Sequence, residues 1–156
     1  MKLKDIVPLK GTYVGLRVLS PANSQLYSHF VEAKIPVKKS TFDKRLHMTV
    51  IYSRKHCPNL KVSPAIKHVA EFIDYDIFTG SGTERVLVIK LSAPSIIARH
   101  VQLMAENNAT YDYPTFIPHI TISYDFTGDI IGLPPIDFPI ILGEEYSEDL
   151  KLDSYE

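Results

Sequence analysis

Two short segments of the sequence pair a histidine with a threonine at the same spacing. They read HMTV at positions 47–50 and HITI at positions 119–122. Side chains alternate between the two faces of a β-strand, so the histidine and threonine of each segment share one face, about 7 Å apart. The apolar residues between them share the other face. Each segment is therefore predicted to be a strand with one core face and one face equipped for chemistry.

Two such faces brought together suit the cleavage of a phosphodiester. Breaking a P–O bond requires a proton removed from the nucleophile and a proton delivered to the leaving oxygen, and an imidazole with a pKa near 6.5 does either near neutral pH. Threonine hydroxyls donate hydrogen bonds to the non-bridging oxygens, where charge accumulates in the transition state. We therefore identify His47, Thr49, His119 and Thr121 as the candidate catalytic residues.

A metal site is the competing interpretation of paired histidines. Two histidines are too few ligands, and the sequence has no Cys pair, HExxH segment or Asp-rich loop to complete a site. We expect neither a metal nor another cofactor.

The elements that must position these residues form an internal repeat. Each copy is a strand, a helix that begins at a proline, a loop and a histidine-led strand, with elements at 13–19, 21–34 and 46–52 and again at 86–91, 94–108 and 119–124. Pro21 precedes His47 by 26 residues and Pro94 precedes His119 by 25. A duplicated unit predicts two similar lobes related by a pseudo-twofold axis, with the motifs facing each other. In the second helix, one face is predicted to be buried: Ile97, Val101 and Met104.

Outside the repeat the pattern is weaker. Residues 65–75 are expected to begin as helix and continue as strand from about residue 71. Residues 130–139 contain three prolines and should be loop, followed by a strand at 140–146 and a solvated acidic tail.

Strand alternation also assigns faces to the neighbouring aromatic residues. Tyr13, Gly15 and Arg17 are predicted to line the cleft. By the same alternation, Tyr52 and Tyr124 should face the core.

Length and composition restrict the class of protein. The chain has 156 residues, 17 Lys+Arg against 18 Asp+Glu, a net charge of −1 and one cysteine. This is enough chain for a single domain with its own core, and it lacks the strong positive charge of a protein that coats nucleic acid. No signal peptide or run of about 20 apolar residues is visible, so we expect a cytoplasmic protein.

The two motifs, their spacing and the duplication resemble the 2H phosphoesterase superfamily over essentially residues 1–156. The resemblance implies one α+β domain of two interleaved lobes, with two antiparallel sheets, outer helices and a cleft between the lobes. Within that superfamily the sequence is most similar to the phage anti-CBASS nucleases, which destroy the cyclic oligonucleotide signals of bacterial immunity. That narrower likeness depends on Tyr13, the basic loop before His47, and Glu144.

The resemblance also implies an activity. The substrates would be 3′,5′-linked cyclic di- and trinucleotides containing adenine, cut without a metal in the host cytoplasm, with neither polymeric nucleic acid nor membrane as a partner. The ribose 2′-OH would attack phosphorus while one histidine accepts its proton and the other protonates the 5′-oxygen. Thr49 and Thr121 match phosphate-binding positions, Tyr13 an active-site tyrosine and Glu144 an acidic residue near the ligand.

Local charge and aromatic residues suggest further contacts. Residues 31–61 carry eight basic and two acidic side chains, so Lys39 and Arg45 are predicted to help a basic loop close over an anionic ligand. Tyr113 and Phe116 precede the second motif and are predicted to stack on bases.

Two alternatives remain open at this point. One is a 2H enzyme that trims RNA ends or opens 2′,3′-cyclic phosphates. The other is a binding protein that sequesters the cyclic nucleotide without cutting it.

Overall fold

The computed structural model describes residues 10–39, 42, 46–79 and 84–152. The strands are β1 (Lys10–Val18), β2 (His47–Ser53), β3 (Lys67–Thr79), β4 (Arg85–Ser92), β5 (His119–Ser123) and β6 (Ile140–Lys151). The helices are α1 (Ala22–Glu32) and α2 (Pro94–Asn107). The two strand–helix–strand units of the repeat are therefore β1–α1–β2 and β4–α2–β5.

All six strands are antiparallel and close in the order β1-β2-β5-β4-β3-β6. The α+β class is confirmed, but the expectation of two separate sheets is wrong. The half formed by β1, β2 and β6 joins the half formed by β3, β4 and β5 at two places. The Met48–Ile120 pair joins β2 to β5, and residues 67–70 pair with residues 140–143.

The long third strand explains this closure. β3 has 13 residues, of which the first four pair with β6 and the later ones with β4. Because unpaired strand edges leave backbone groups without partners, a strand that spans both halves closes the sheet. The helix expected at the start of residues 65–75 is wrong, since β3 already begins at Lys67.

The acidic segment that follows Tyr146 continues as strand to Lys151, where a solvated tail was predicted. β6 continues to Lys151 and pairs with β1 from Val18 back to Lys10. Its acidic side chains stand mainly on the outer surface, while its backbone completes the sheet, so composition alone gave the wrong prediction here. The loop predicted at 130–139 is confirmed.

Helix α2 buries a different face from the one predicted. Ile97 and Val101 are exposed, and the buried residues are Ile96, Arg99, His100 and Leu103. Two polar residues lie on the buried face because the fold supplies partners for them: Arg99 binds Glu145, and His100 binds the carbonyl of Val50. No helix within the described residues is long and apolar enough to span a bilayer.

Candidate active site

The two histidine motifs meet where β2 and β5 pair. Met48 lies opposite Ile120, and these are the second residues of the two motifs. We call this pair the central seam. In an antiparallel pair, counting outward from it places His47 beside Thr121 and Thr49 beside His119. The two motifs thus lie crosswise, each histidine next to the threonine of the other.

Burial follows the predicted alternation within each motif. The four apolar positions of the motifs are buried, whereas the histidines and threonines are only partly buried. The four candidate catalytic side chains therefore share one accessible face above the seam.

Each motif also carries a β-bulge at its fourth residue. Val14 pairs with Ile51 and Gly15 with Thr49, so Val50 is the extra residue of β2. Leu87 pairs with Ser123 and Val88 with Thr121, which leaves Ile122 as the extra residue of β5. A bulge reverses the alternation of faces beyond it. The same irregularity at the same motif position indicates that the backbone of the repeat is duplicated in detail.

The bulges overturn the core assignment of two tyrosines. Ile51 and Ser53 are buried, and Tyr52 between them is 37% exposed. Tyr124 is 46% exposed. Tyr52 lines a cavity together with Thr49 and His119, so the bulge turns this tyrosine into the site. The sequence carries no visible marker of the bulge, because valine and isoleucine are ordinary strand residues.

His119 is held in one tautomer by the backbone. Its Nδ1 lies 2.8 Å from the carbonyl oxygen of Ile117, which can only accept a hydrogen bond. Nδ1 therefore donates, and in the neutral ring Nε2 is the atom that accepts a proton. The ring of Phe78 contacts the imidazole edge-on at 4.9 Å between centroids and restricts its rotation.

A cation lies directly across the ladder from each histidine. Arg17 pairs with His47 and Lys90 with His119, so each cation shares the accessible face of its histidine. Arg17 lies 3.9 Å from Glu144 and 4.4 Å above the ring of Tyr146. The Lys90 ammonium lies 3.3 Å from an Asp76 oxygen and 3.8 Å from an Asp74 oxygen.

Sequence reasoning missed Lys90, although the repeat contains the signal. Arg17 precedes Pro21 by four residues, and Lys90 precedes Pro94 by four. Aligning the strand before each proline in the two copies of the repeat would have shown that Lys90 corresponds to Arg17.

Two tyrosines lie on the Thr49 side of the site. The Tyr13 hydroxyl lies 3.1 Å from Thr49 Oγ1, and the Tyr146 ring lies beside that of Tyr13, with 6.1 Å between the ring centroids. Burial raises the pKa of Tyr13, so this phenol stays protonated and available as a donor. Gly15 makes the arrangement possible, since a Cβ there would stand 2.7 Å from the Tyr146 hydroxyl.

Two cavities flank His119. One of about 250 Å³ includes Thr49, Tyr52 and Asp112, and one of about 490 Å³ is walled by Ile77, Phe78 and Ile117. Tyr111, Tyr113 and His119 line both. The loop that carries the tyrosines is fixed to the end of β2, because Arg54 donates two hydrogen bonds to Asp112 at 2.9 and 3.0 Å.

The predicted binding residues are placed unequally. Tyr13 and Tyr113 lie in the site. Glu144 contacts Arg17, the residue that pairs with His47 across the ladder. Phe116 is directed instead towards the protein interior, where it stacks on His100 at 4.1 Å. The Lys39 ammonium lies 5.9 Å above the ring of Tyr27 on α1, and Lys39 does not line either of the two described cavities beside His119. Arg45 lies outside the described residues.

No group of three or more histidine, cysteine, aspartate or glutamate side chains among the described residues is arranged to hold a metal ion.

The fold and site define a class: an α+β protein in which a duplicated unit brings two histidine–threonine pairs to one face. The family model for Anti-CBASS protein Acb1 matches residues 10–156. The Acb1 protein of Vibrio phage KVP40 is 31% identical over 153 residues, covering 98% of this chain and 96% of the relative. That of Acinetobacter phage Ac42 is 30% identical over 156 residues, with 98% of each covered. That of Enterobacteria phage T4 is 34% identical over 116 residues, with 70% of each covered. The chain belongs to the Acb1 family of anti-CBASS proteins.

Proposed function

We propose that this protein is a metal-independent 2H-type phosphodiesterase that opens cyclic di- and trinucleotides containing adenine and thereby counters CBASS defence. The observation that carries the proposal is the central seam, where Met48 pairs with Ile120 and sets the two histidine–threonine pairs crosswise. Membership of the anti-CBASS family supports the biological context.

The crosswise arrangement suits an in-line displacement at phosphorus. With the scissile phosphate above the seam, a histidine stands on either side of it and each threonine hydroxyl faces one of the two non-bridging oxygens. The 2′-OH attacks phosphorus while one imidazole takes its proton, and the other imidazole gives a proton to the departing 5′-oxygen. The product is a linear nucleotide with a 2′,3′-cyclic phosphate at one end and a free 5′-hydroxyl at the other, and water then opens the cyclic phosphate to a terminal phosphomonoester.

The surroundings suit a small nucleotide. Cations beside both histidines offer charge to phosphates, and the two cavities flanking His119 have the size and aromatic lining to take flat bases. The contacts converge on one cleft rather than following an extended track, which favours a compact cyclic substrate over an RNA polymer.

The direct test is incubation with a panel of 3′,5′-linked cyclic dinucleotides and trinucleotides in EDTA, followed by chromatography. We expect a linear product from adenine-containing members and none from an analogue that lacks the attacked 2′-OH. The rate should follow a bell-shaped pH profile, because one imidazole must be neutral and the other protonated.

Three outcomes would contradict the proposal. Dependence of the rate on a divalent metal would exclude the metal-independent mechanism. Tight binding of the panel without a linear product would indicate a sequestering protein. Cleavage restricted to 2′,3′-cyclic phosphates at RNA ends would indicate an RNA-end enzyme.

A further inference from the structure

His100 lies beneath the first motif, on the side away from the cleft. It is 7% exposed, and its Nδ1 lies 2.6 Å from the carbonyl oxygen of Val50. Burial lowers the pKa of His100, so the ring is neutral. Because a carbonyl only accepts, the hydrogen is on Nδ1 and the imidazole is the donor.

The carbonyl that His100 binds belongs to the bulge. Val50 is the extra residue of β2, and the extra residue of a bulge is left out of the ladder pairing. The imidazole supplies a partner to this backbone group. Thr49 precedes the bulge and Tyr52 follows it, and both line the smaller cavity.

The same imidazole contacts the aromatic loop. Its face stacks on Phe116, with ring centroids 4.1 Å apart and planes 9° from parallel. Tyr111 meets the ring edge-on at 5.1 Å and lines both cavities. One side chain of α2 therefore touches both the strand and the loop that form the walls of the cleft.

We propose that His100 is a positioning residue that sets the distance between the bulged strand and the aromatic loop, and thereby the width of the ligand cleft. It acts through its hydrogen bond and its stacked ring rather than by proton transfer, since it lies behind the site. The kinetic part of this proposal rests on the function proposed above.

Two substitutions separate the two contacts. His100→Asn keeps an N–H near the position of Nδ1 and removes the ring. His100→Phe keeps a ring against Phe116 and removes the donor. His29→Asn in α1 is a matched control, because His29 is another helix histidine with a side-chain partner, Tyr75, outside the cleft.

The first measurement does not require activity. In ¹H–¹⁵N spectra, His100→Phe should shift the amide signals of Thr49–Tyr52, and His100→Asn should shift mainly those of Tyr111–Tyr113. His29→Asn should leave both groups unchanged. Identical spectral changes in the two His100 variants, or none at the bulge in His100→Phe, would overturn the proposal.

The second measurement is the kinetics of cyclic dinucleotide cleavage. We expect His100→Phe to raise KM about 10-fold and to change kcat less than about 3-fold, because His47 and His119 keep their ladder partners. His100→Asn should raise KM about 3-fold. A loss confined to kcat, or a wild-type KM in both variants, would contradict the positioning role.

The two measurements fail separately. If the wild-type protein cleaves no cyclic nucleotide, the proposed function fails and the spectra alone decide the structural coupling. Thermal unfolding identifies a variant that does not fold. If His100→Phe is that variant, the folded His100→Asn protein decides: shifts at residues 111–113 support the proposal, and their absence overturns it.

Discussion

The half of the molecule around His47 and the half around His119 share a backbone and differ in their walls. Both motifs carry a bulge at the fourth residue, and both histidines lie across the ladder from a cation. The residue opposite the threonine differs: Gly15 faces Thr49, and Val88 faces Thr121. The missing side chain at Gly15 leaves room for the Tyr146 hydroxyl and the Tyr13 ring, which a Cβ would displace.

The comparison shows which features the two copies of the repeat share and which differ between them. Backbone register, which sets the positions of the histidines and threonines, is the same in both halves. The side chains around them have diverged, with hydroxyls near Thr49 and an apolar wall of Ile77, Phe78 and Ile117 near His119. A symmetric arrangement of two histidines and two threonines thus lies in a cleft whose two walls differ.

The largest effect should come from removing either histidine. His47→Ala and His119→Ala should each lower turnover by about 10²–10⁴-fold, the usual contribution of a positioned general acid or base. Retained binding of the cyclic nucleotide, measured by calorimetry, would show that only the chemistry is lost. His56→Ala is the control, since this histidine contacts Thr12 and Asp149 rather than the seam. If one variant kept normal turnover, the two halves would not both be catalytic.

The threonines should separate the halves more finely. Thr49→Val and Thr121→Val each replace a hydroxyl by a methyl group, so the side chain keeps nearly the same size. Each change should lower kcat by about 10²-fold if the hydroxyl binds the transition state. Only Thr49→Val also removes the hydrogen bond to the buried Tyr13 hydroxyl, at a cost of about 1 kcal/mol in the free energy of unfolding. Urea titration of the two variants compares them. Equal free energies of unfolding for the two variants would indicate that the hydrogen bond between Thr49 and Tyr13 does not stabilise the first half.

Gly15→Ala tests the gap on which the asymmetry depends. Its Cβ would approach the Tyr146 hydroxyl at 2.7 Å and a Tyr13 ring carbon at 2.9 Å, so we expect a loss of about 1–3 kcal/mol in stability from overpacking. Turnover should fall as well, because Tyr13 moves away from Thr49. Tyr146→Phe in the same chain should restore part of the stability by removing the nearest atom. No rescue by that second change would mean that the clash lies elsewhere.

The sequence predicted the duplicated unit, the accessible face shared by the histidines and threonines, and the α+β class, because these depend on local periodicity and on spacing. It did not predict the bulges at Val50 and Ile122, since a one-residue insertion in a strand leaves no compositional trace. The inward face of α2 was wrong for a related reason: Arg99 and His100 are buried by partners distant in sequence, and the local pattern does not contain them. Tyr52 was assigned to the core because alternation was extended through the bulge.

The smallest effect concerns two buried histidines, His100 behind the first motif and His68 on β3. Burial lowers the pKa of both, and for His68 it does so despite the nearby carboxylate of Glu145. Below pH 6.5 the unfolded chain therefore binds protons that the folded chain does not. The free energy of unfolding keeps its full value above that pH and falls as the pH drops. Each histidine contributes at most about 1.4 kcal/mol per pH unit to this slope.

Urea titrations between pH 7.5 and pH 5 (roughly the range over which the unfolded imidazole titrates) should show a shallower decline for His100→Phe and for His68→Leu than for the wild type. A slope unchanged in His100→Phe but reduced in His68→Leu would place the pH dependence in the β3 region alone and leave the first motif insensitive to acid.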